Sequence, residues 1–146
     1  MKYTKQECQI GFLPTNVIVV NPGNPVPKPR QTRSDKWKKR KCVVRYREWA
    51  DGLRGQASIV QIPLEPTRVR VIAYFALPKS WSIKKKDKMT GKPHKQTPDA
   101  DNVLKAVCDA LWEKDQVIYK CQIEKYWDDG DGPRTEVYIE NLKETV

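Results

Sequence analysis

The chain has 146 residues and a formal net charge of +10, from 28 lysines and arginines against 18 aspartates and glutamates. This length fits one domain with its own hydrophobic core and excludes two independent ones. The positive charge argues against an enzyme of neutral metabolites and points to a polyanionic partner, of which nucleic acid is the commonest.

The four cysteines lie far apart without a CxxC pair, and His94 is the only histidine, so a zinc site has almost no ligands available. No apolar run approaches the roughly 20 residues of a membrane-spanning helix, and residues 1–14 lack the apolar stretch of a signal peptide. We therefore expect a cytoplasmic protein with reduced thiols and no membrane partner.

Residues 16–21 form a β-branched run that ends at Pro22 and Gly23, which predicts a first strand running into a turn. Residues 1–15 are interpreted as an N-terminal adjunct to the domain. The next segment, residues 22–29, holds four prolines and is expected to be extended or turning rather than helical.

Apolar residues spaced by three and four over residues 37–57 predict an amphipathic helix whose other faces are strongly cationic. The apolar stripe consists of Val43, Tyr46, Ala50, Leu53 and Ala57. Residues 67–77 alternate instead, which predicts a second strand buried mainly on one face. Its buried set is Val69, Val71, Ala73, Phe75 and Leu77.

Residues 80–95 contain six lysines with Gly91 and Pro93, and their composition predicts a basic loop that extends to residue 97. After Asp101 the apolar positions predict a helix of about three turns that ends near Trp112. These positions are Val103, Leu104, Val107, Cys108 and Leu111.

The end of the chain reads as two further strands. Residues 117–127 alternate, and the glycine- and aspartate-rich residues 128–133 turn the chain into a last strand over residues 135–140. The predicted order is therefore β-α-β-α-β-β. It favours a single α+β domain with one mixed sheet and helices packed against it.

Asp99 and Asp101 stand at the start of the second predicted helix, where backbone N–H groups and the helix dipole stabilise carboxylates. Capping alone is the commoner role of such aspartates. Lys105 follows Asp101 by four residues on the same face, in the half of the helix where a cation opposes the dipole. An exposed Asp–Lys pair would stabilise the helix by only about 0.2–0.5 kcal/mol, so it explains little of this placement.

Asp115 falls in the short connection to the third strand, where a turn or cap aspartate is the alternative interpretation. The three candidate acids and Lys105 therefore lie within 17 residues. Mg²⁺ prefers carboxylate oxygens, and a lysine can neutralise charge that develops during phosphodiester hydrolysis. The cluster is a candidate site for metal-dependent hydrolysis of a phosphodiester.

A motif over residues 98–111 resembles the signature of the RusA family of crossover-junction endodeoxyribonucleases. It reads as an acid-x-acid-Asn-x-x-Lys helix start followed by Asp-Ala-Leu. Residues 115–127, which include Lys125, and residues 22–30 also resemble family segments. The resemblance covers residues 16–141, and its specific part is residues 98–115.

The resemblance implies a homodimer of α+β subunits that binds four-way DNA junctions and nicks two strands symmetrically in recombination and repair. Mg²⁺, or Mn²⁺ in its place, would be held or oriented by Asp99, Asp101 and Asp115, with Lys105 as the essential catalytic cation. Many relatives have two adjacent aspartates where this chain has Lys114 and Asp115, so one acid is missing here. A bacterial and a phage origin both fit.

Residues 28–54 hold eleven lysines and arginines against three acids, the strongest local charge in the chain. We expect its first part to contact DNA phosphates, which gives salt-dependent affinity with little base readout; a solvated helix face is the alternative. The expected contacts are Lys28, Arg30, Arg33, Lys36, Lys38, Lys39, Arg40 and Lys41. For Trp37 and Trp81, stacking on unpaired bases competes with core packing or dimer contact.

Three other functions stay open at this point. A non-catalytic basic DNA-binding protein would use Asp99 and Asp101 only as helix caps. An RNA-binding domain is disfavoured, because the chain lacks the aromatic RNP strand and the GxxG loop of common RNA modules. A nuclease that prefers flaps or replication forks would show the same residues as one that cuts four-way junctions.

Overall fold

The computed structural model describes residues 12–30 and 40–144. They form four strands and three helices in the order β-α-β-α-α-β-β. The elements are β1 (Phe12–Pro22), α1 (Lys41–Val60), β2 (Arg68–Phe75), α2 (Ile83–Met89), α3 (Ala100–Leu111), β3 (Lys120–Trp127) and β4 (Arg134–Glu144). The predicted α+β class is confirmed.

The strands form one mixed sheet in the order β1-β4-β2-β3. β4 is antiparallel to both β1 and β2, whereas β2 and β3 are parallel, with Val71 opposite Ile123. Parallel neighbours need a crossover connection, and α3 lies in that connection. The connection from β2 to β3 contains α2 and then α3. In the loop between the two helices, His94 contacts Phe75 and Trp127, the last residues of β2 and β3, so the N-terminus of α3 lies at the carboxyl end of these two strands.

One hydrophobic core joins α1 and α3 to the sheet. The predicted stripe of α1 is confirmed, and Trp49 is buried with it. Tyr46 Oη donates to Ala106 O at 3.0 Å and Arg54 Nη1 donates to Ala110 O at 3.1 Å, which ties α1 to α3. The alternation of β2 is also confirmed, with two exceptions. Ile72 on the other face is buried as well, and Leu77 is half-buried because the strand ends at Phe75.

The expectation of a loop through residues 80–97 was wrong for the seven residues of α2. Ser82 caps this helix, since its Oγ accepts a hydrogen bond from Lys85 N at 3.2 Å. Trp81 and Met89 at its two ends pack against the core. Lysine is a good helix former, so a lysine run that looks like a loop by composition still forms a helix once its ends are fixed.

Several boundaries also differ from those predicted. β1 begins at Phe12 rather than residue 16, because it pairs with β4 along its whole length up to Glu144. α1 begins at Lys41, and residues 31–39 lie outside the described residues. β3 begins at Lys120, because a turn precedes it in which Ile118 N donates to Asp115 O at 3.0 Å.

Candidate active site

Asp99 and Asp101 lie at the N-terminus of α3, as the sequence predicted. Asp99 is the N-cap residue, with extended backbone at φ −66° and ψ 150°, and Asp101 lies in the first turn. Both are exposed. The Asp99 carboxylate makes no capping hydrogen bond in the part of the chain that the structure describes. Capping therefore does not account for this acid.

Lys105 lies one turn after Asp101 on the same face of α3 and is exposed. Among the described residues, no ion pair joins Lys105 to Asp101, although their spacing permits one. The stabilising Asp–Lys pair that was the alternative explanation of Lys105 is therefore absent. Two carboxylates and one ammonium group are left facing solvent within two turns of helix.

The loop that leads into Asp99 is held by a lysine from β3. Lys125 Nζ donates to Gln96 O at 2.7 Å and to Pro98 O at 2.6 Å, and the Thr97–Pro98 peptide bond between them is cis. A hydrogen bond from His94 N to Lys125 O, at 3.0 Å, attaches the loop to the same residue. Sequence reasoning placed Lys125 in a family-like strand but missed this role.

His94 fixes the other end of that loop. Its ring stacks on Phe75, with centroids 4.1 Å apart, and lies 4.4 Å from the Trp127 ring. The side chain is only 6% exposed. Burial, and secondarily the nearby Lys125 ammonium group, lower the pKa of His94 below its usual 6.5, which favours the neutral imidazole. No sequence pattern indicated that the only histidine packs beneath this loop.

The proline-rich segment runs along α3, from the end of β2 to the last turn of the helix. Asn24 Oδ1 accepts a hydrogen bond from Ala76 N at 2.9 Å, just after β2. Lys28 Nζ forms a 2.7 Å ion pair with Asp109 on α3, with both side chains 31% exposed. These contacts fix residues 22–30 on the domain although the segment has no regular secondary structure.

This packing creates a cleft of about 400 Å³ between the proline-rich segment and α3. Its lining carries three cations and an amide and no acid. The lining residues are Lys28, Pro29, Arg30, Asn102 and Lys105. The cleft thus brings two of the predicted DNA-contacting residues next to the predicted catalytic lysine.

Asp115 lies at the opposite end of α3 from Asp99 and Asp101. The 12 residues of α3 span about 18 Å at 1.5 Å per residue. Asp115 follows its C-terminal end, and burial, followed by the nearby Asp115 carboxylate, raises the pKa of Cys108 in the last turn to about 12. Among the described residues no three acid, histidine or cysteine side chains are grouped to hold one metal ion. One chain does not bring the three predicted acids together.

The other predicted DNA contacts divide between two regions. Arg40 precedes α1, where its Nη2 donates to Arg30 O at 2.7 Å, and Lys41 is exposed at the start of that helix. Arg33, Lys36, Lys38 and Lys39 lie outside the described residues, as does Trp37. Trp81 is half-buried and packs edge-on against Trp127 with centroids 4.9 Å apart, so packing is its observed role.

A protein-family model described as "Endodeoxyribonuclease RusA" matches residues 22–140. The match includes the proline-rich segment, the motif at the start of α3 and most of β4. No curated protein matches the chain. In the part of the chain that the structure describes, none of the helices is long and apolar enough to cross a membrane.

Proposed function

Since this chain belongs to the RusA endodeoxyribonuclease family, we propose that it resolves four-way DNA junctions by paired, symmetric nicks in recombination and repair. One observation carries the proposal: Asp99 and Asp101 are both exposed at the N-terminus of α3. In the described part of the chain, the Asp99 side chain makes no capping hydrogen bond, and no ion pair joins Asp101 to Lys105. These carboxylates are thus available to a cation.

The donor set fits Mg²⁺, and Mn²⁺ in its place, because both are hard cations that favour carboxylate oxygens. Asp99 and Asp101 would hold the ion, with water and a substrate phosphate completing its coordination. When bound, the metal would polarise the scissile phosphate and lower the pKa of a water molecule. The contacts of Lys125 to Gln96 and Pro98 keep Asp99 in place for this role.

The basic cleft beside α3 is suited to hold the DNA backbone near these acids. Arg30 supplies charge for phosphate oxygens, as does Lys28, whose ammonium group is also paired with Asp109, and Asn102 supplies an amide for hydrogen bonding. Lys105 shares this cleft and would neutralise charge that develops on the departing oxygen. The cleft lining carries no acid that would repel a phosphate.

Asp99 and Asp101 lie at the N-terminal end of α3 and Asp115 follows its C-terminal end, and among the described residues the three acids are not grouped as one metal site. We therefore propose a homodimer in which Asp115 of the partner subunit completes each metal site. Two-fold symmetry would then present two sites to a symmetric junction, which accounts for paired nicks.

The test is cleavage of labelled synthetic four-way junction, flap and fork substrates by the protein with Mg²⁺ or with EDTA. We expect symmetric paired cuts in the junction that require the metal. Cuts confined to flaps or forks would retain the nuclease and overturn the junction preference. Tight binding without any cleavage in Mg²⁺ or Mn²⁺ would favour the alternative of a non-catalytic DNA-binding protein.

A further inference from the structure

The lysine-rich helix α2 has no part in the proposed chemistry, and its composition is unusual. Residues 79–95 contain seven lysines and a single acid, Asp87. Lys84, Lys85 and Lys88 are exposed, and α2 contains no buried residue. Lys85 Nζ lies 4.3 Å from the centre of the Trp81 ring, but none of the α2 lysines is buried in the core.

Two of the α2 lysines repel each other within the helix. Lys84 and Lys88 are four residues apart on one face, a spacing at which equal charges destabilise a helix. Across the described residues, no ion pair involves any of the seven lysines. No acid of the described chain relieves the repulsion among these lysines, so a bound anion would relieve it.

Contacts on both sides of α2 fix this surface relative to the active-site loop. Trp81, just before α2, packs edge-on against Trp127 at the end of β3. After α2, Gly91 N donates to Asp128 O at 3.1 Å, and Trp127 N donates to Lys92 O at 2.9 Å. Trp127 also contacts His94, so one group of rings joins α2 to the loop that leads into Asp99.

We propose that α2 and its flanking lysines form a second phosphate-binding surface, which holds the backbone of a duplex arm next to the strand being cut. This inference rests on the proposed function, since it assumes branched DNA as the substrate. The surface is separate from the cleft at Lys28 and Arg30, which packs along α3, whereas α2 packs on the end of β3 through Trp81. Two separate basic surfaces suit a substrate whose arms leave in different directions.

Lysine ammonium groups act on phosphates as point charges, so this surface should add affinity and salt dependence without base preference. Each phosphate contact contributes about 0.9 to the magnitude of the slope of log K against log salt concentration. Between about 1 M and about 0.1 M salt, one contact therefore raises the affinity nearly tenfold. The double variant Lys84→Gln/Lys88→Gln should therefore lower that slope by about 1.8. Asp87→Asn removes the one acid and should tighten binding.

The measurement is a salt titration of the binding constant in EDTA, on a four-way junction and on a linear duplex with the sequence of one arm. Lys88→Gln is compared with Lys120→Gln, which removes another exposed lysine, at the start of β3. We expect Lys88→Gln to weaken binding of both DNAs by roughly fivefold to tenfold at 0.1 M salt. Lys120→Gln should change binding by less than about twofold, as expected for a lysine without a phosphate contact.

Equal losses in the two single variants would overturn the proposal, because they would reflect net charge alone. So would an unchanged salt slope in the double variant. If the wild type cuts junctions while the α2 variants bind like it, only this inference fails; if the wild type cuts no branched DNA, the proposed function fails instead.

Discussion

The ammonium group of Lys125 lies 2.6 Å from the carbonyl oxygen of Pro98, the residue immediately before Asp99. The same group donates to Gln96 O at 2.7 Å. A side chain on β3 therefore holds the segment from which the first acidic residue of the motif projects. The motif itself does not indicate that Lys125 supports this segment. Two predictions depend on the contact.

Replacing Lys125 with methionine should both destabilise the protein and slow cleavage. The variant leaves two carbonyl groups without their charged donor, and a hydrogen bond to a charged group contributes about 1.5–3 kcal/mol. We expect the free energy of unfolding in urea to fall by about that amount. Lys120→Met, on the same strand but exposed, is the control and should change stability by less than about 0.5 kcal/mol.

Lys125→Arg distinguishes a role of Lys125 in positioning Asp99 from a role in stability alone. If Lys125 positions Asp99, arginine should restore stability more fully than cleavage, because its planar guanidinium group reaches the two carbonyls with a different geometry. The concentration of Mg²⁺ needed for half-maximal cleavage should rise in both variants. An unchanged metal requirement would show that Lys125 is only structural.

Replacing Lys105 with methionine should impair chemistry and spare the fold. The side chain is exposed, and none of the ion pairs within the described residues involves it, so the urea midpoint should stay close to the wild-type value. Loss of one group that stabilises transition-state charge typically lowers kcat by about 10²–10³. Single-turnover cleavage of a junction measures this effect. A loss confined to binding would instead make Lys105 a phosphate contact alone.

The buried position of His94 predicts a pH dependence of stability. Burial lowers the pKa of this imidazole below 6.5, so the unfolded chain binds a proton more readily than the folded one. Stability should therefore decrease as the pH falls below about 6.5 and level off below the folded-state pKa. His94→Phe keeps a ring between Phe75 and Trp127 and should remove this part of the pH dependence. Thermal melts from pH 7.5 to 5 in both proteins measure it.

Subunit mixing tests whether the partner subunit's Asp115 completes the site. Asp101→Asn and Asp115→Asn should each be inactive as homodimers. A mixed dimer retains one intact site, with Asp101 from one subunit and Asp115 from the other, and should make single nicks in a junction. If all the acids acted within one chain, both sites of the mixed dimer would be damaged and no nicks would appear. Purification of mixed dimers with two different affinity tags allows the comparison.

Local patterns sufficed for much of this fold. The apolar stripes of α1 and α3 and the alternation of β2 depend on residues close in sequence, and the structure confirms them. The placement of Asp99, Asp101 and Lys105 on one helix start follows from the same pattern. The lysine run of α2 was misjudged because charge is a poor guide to helix formation when capping and anchoring residues lie at the helix ends.

Contacts between residues that are distant in sequence were not predicted, for a physical reason. The contact of Lys125 with Pro98 joins residues 27 positions apart and exists only because α3 connects two parallel strands. The same connection places Asp115 after the C-terminal end of α3, whereas Asp99 precedes its N-terminal end. A separation of 16 residues in sequence would by itself permit the two side chains to be close. Proximity in sequence therefore suggested a three-acid cluster that the topology of a single chain does not form.

Asp101→Asn tests most directly whether the acids at the start of α3 form the metal site. Cleavage and binding of one labelled four-way junction are measured in parallel. The substitution keeps the size of the side chain and removes a charge that has no ion-pair partner among the described residues. We predict that Mg²⁺-dependent cleavage falls by about a thousandfold or more while the dissociation constant in EDTA stays the same or decreases. Cleavage at the wild-type rate would contradict the assignment of this acid to the metal site, and loss of binding with intact folding would make Asp101 a DNA contact instead.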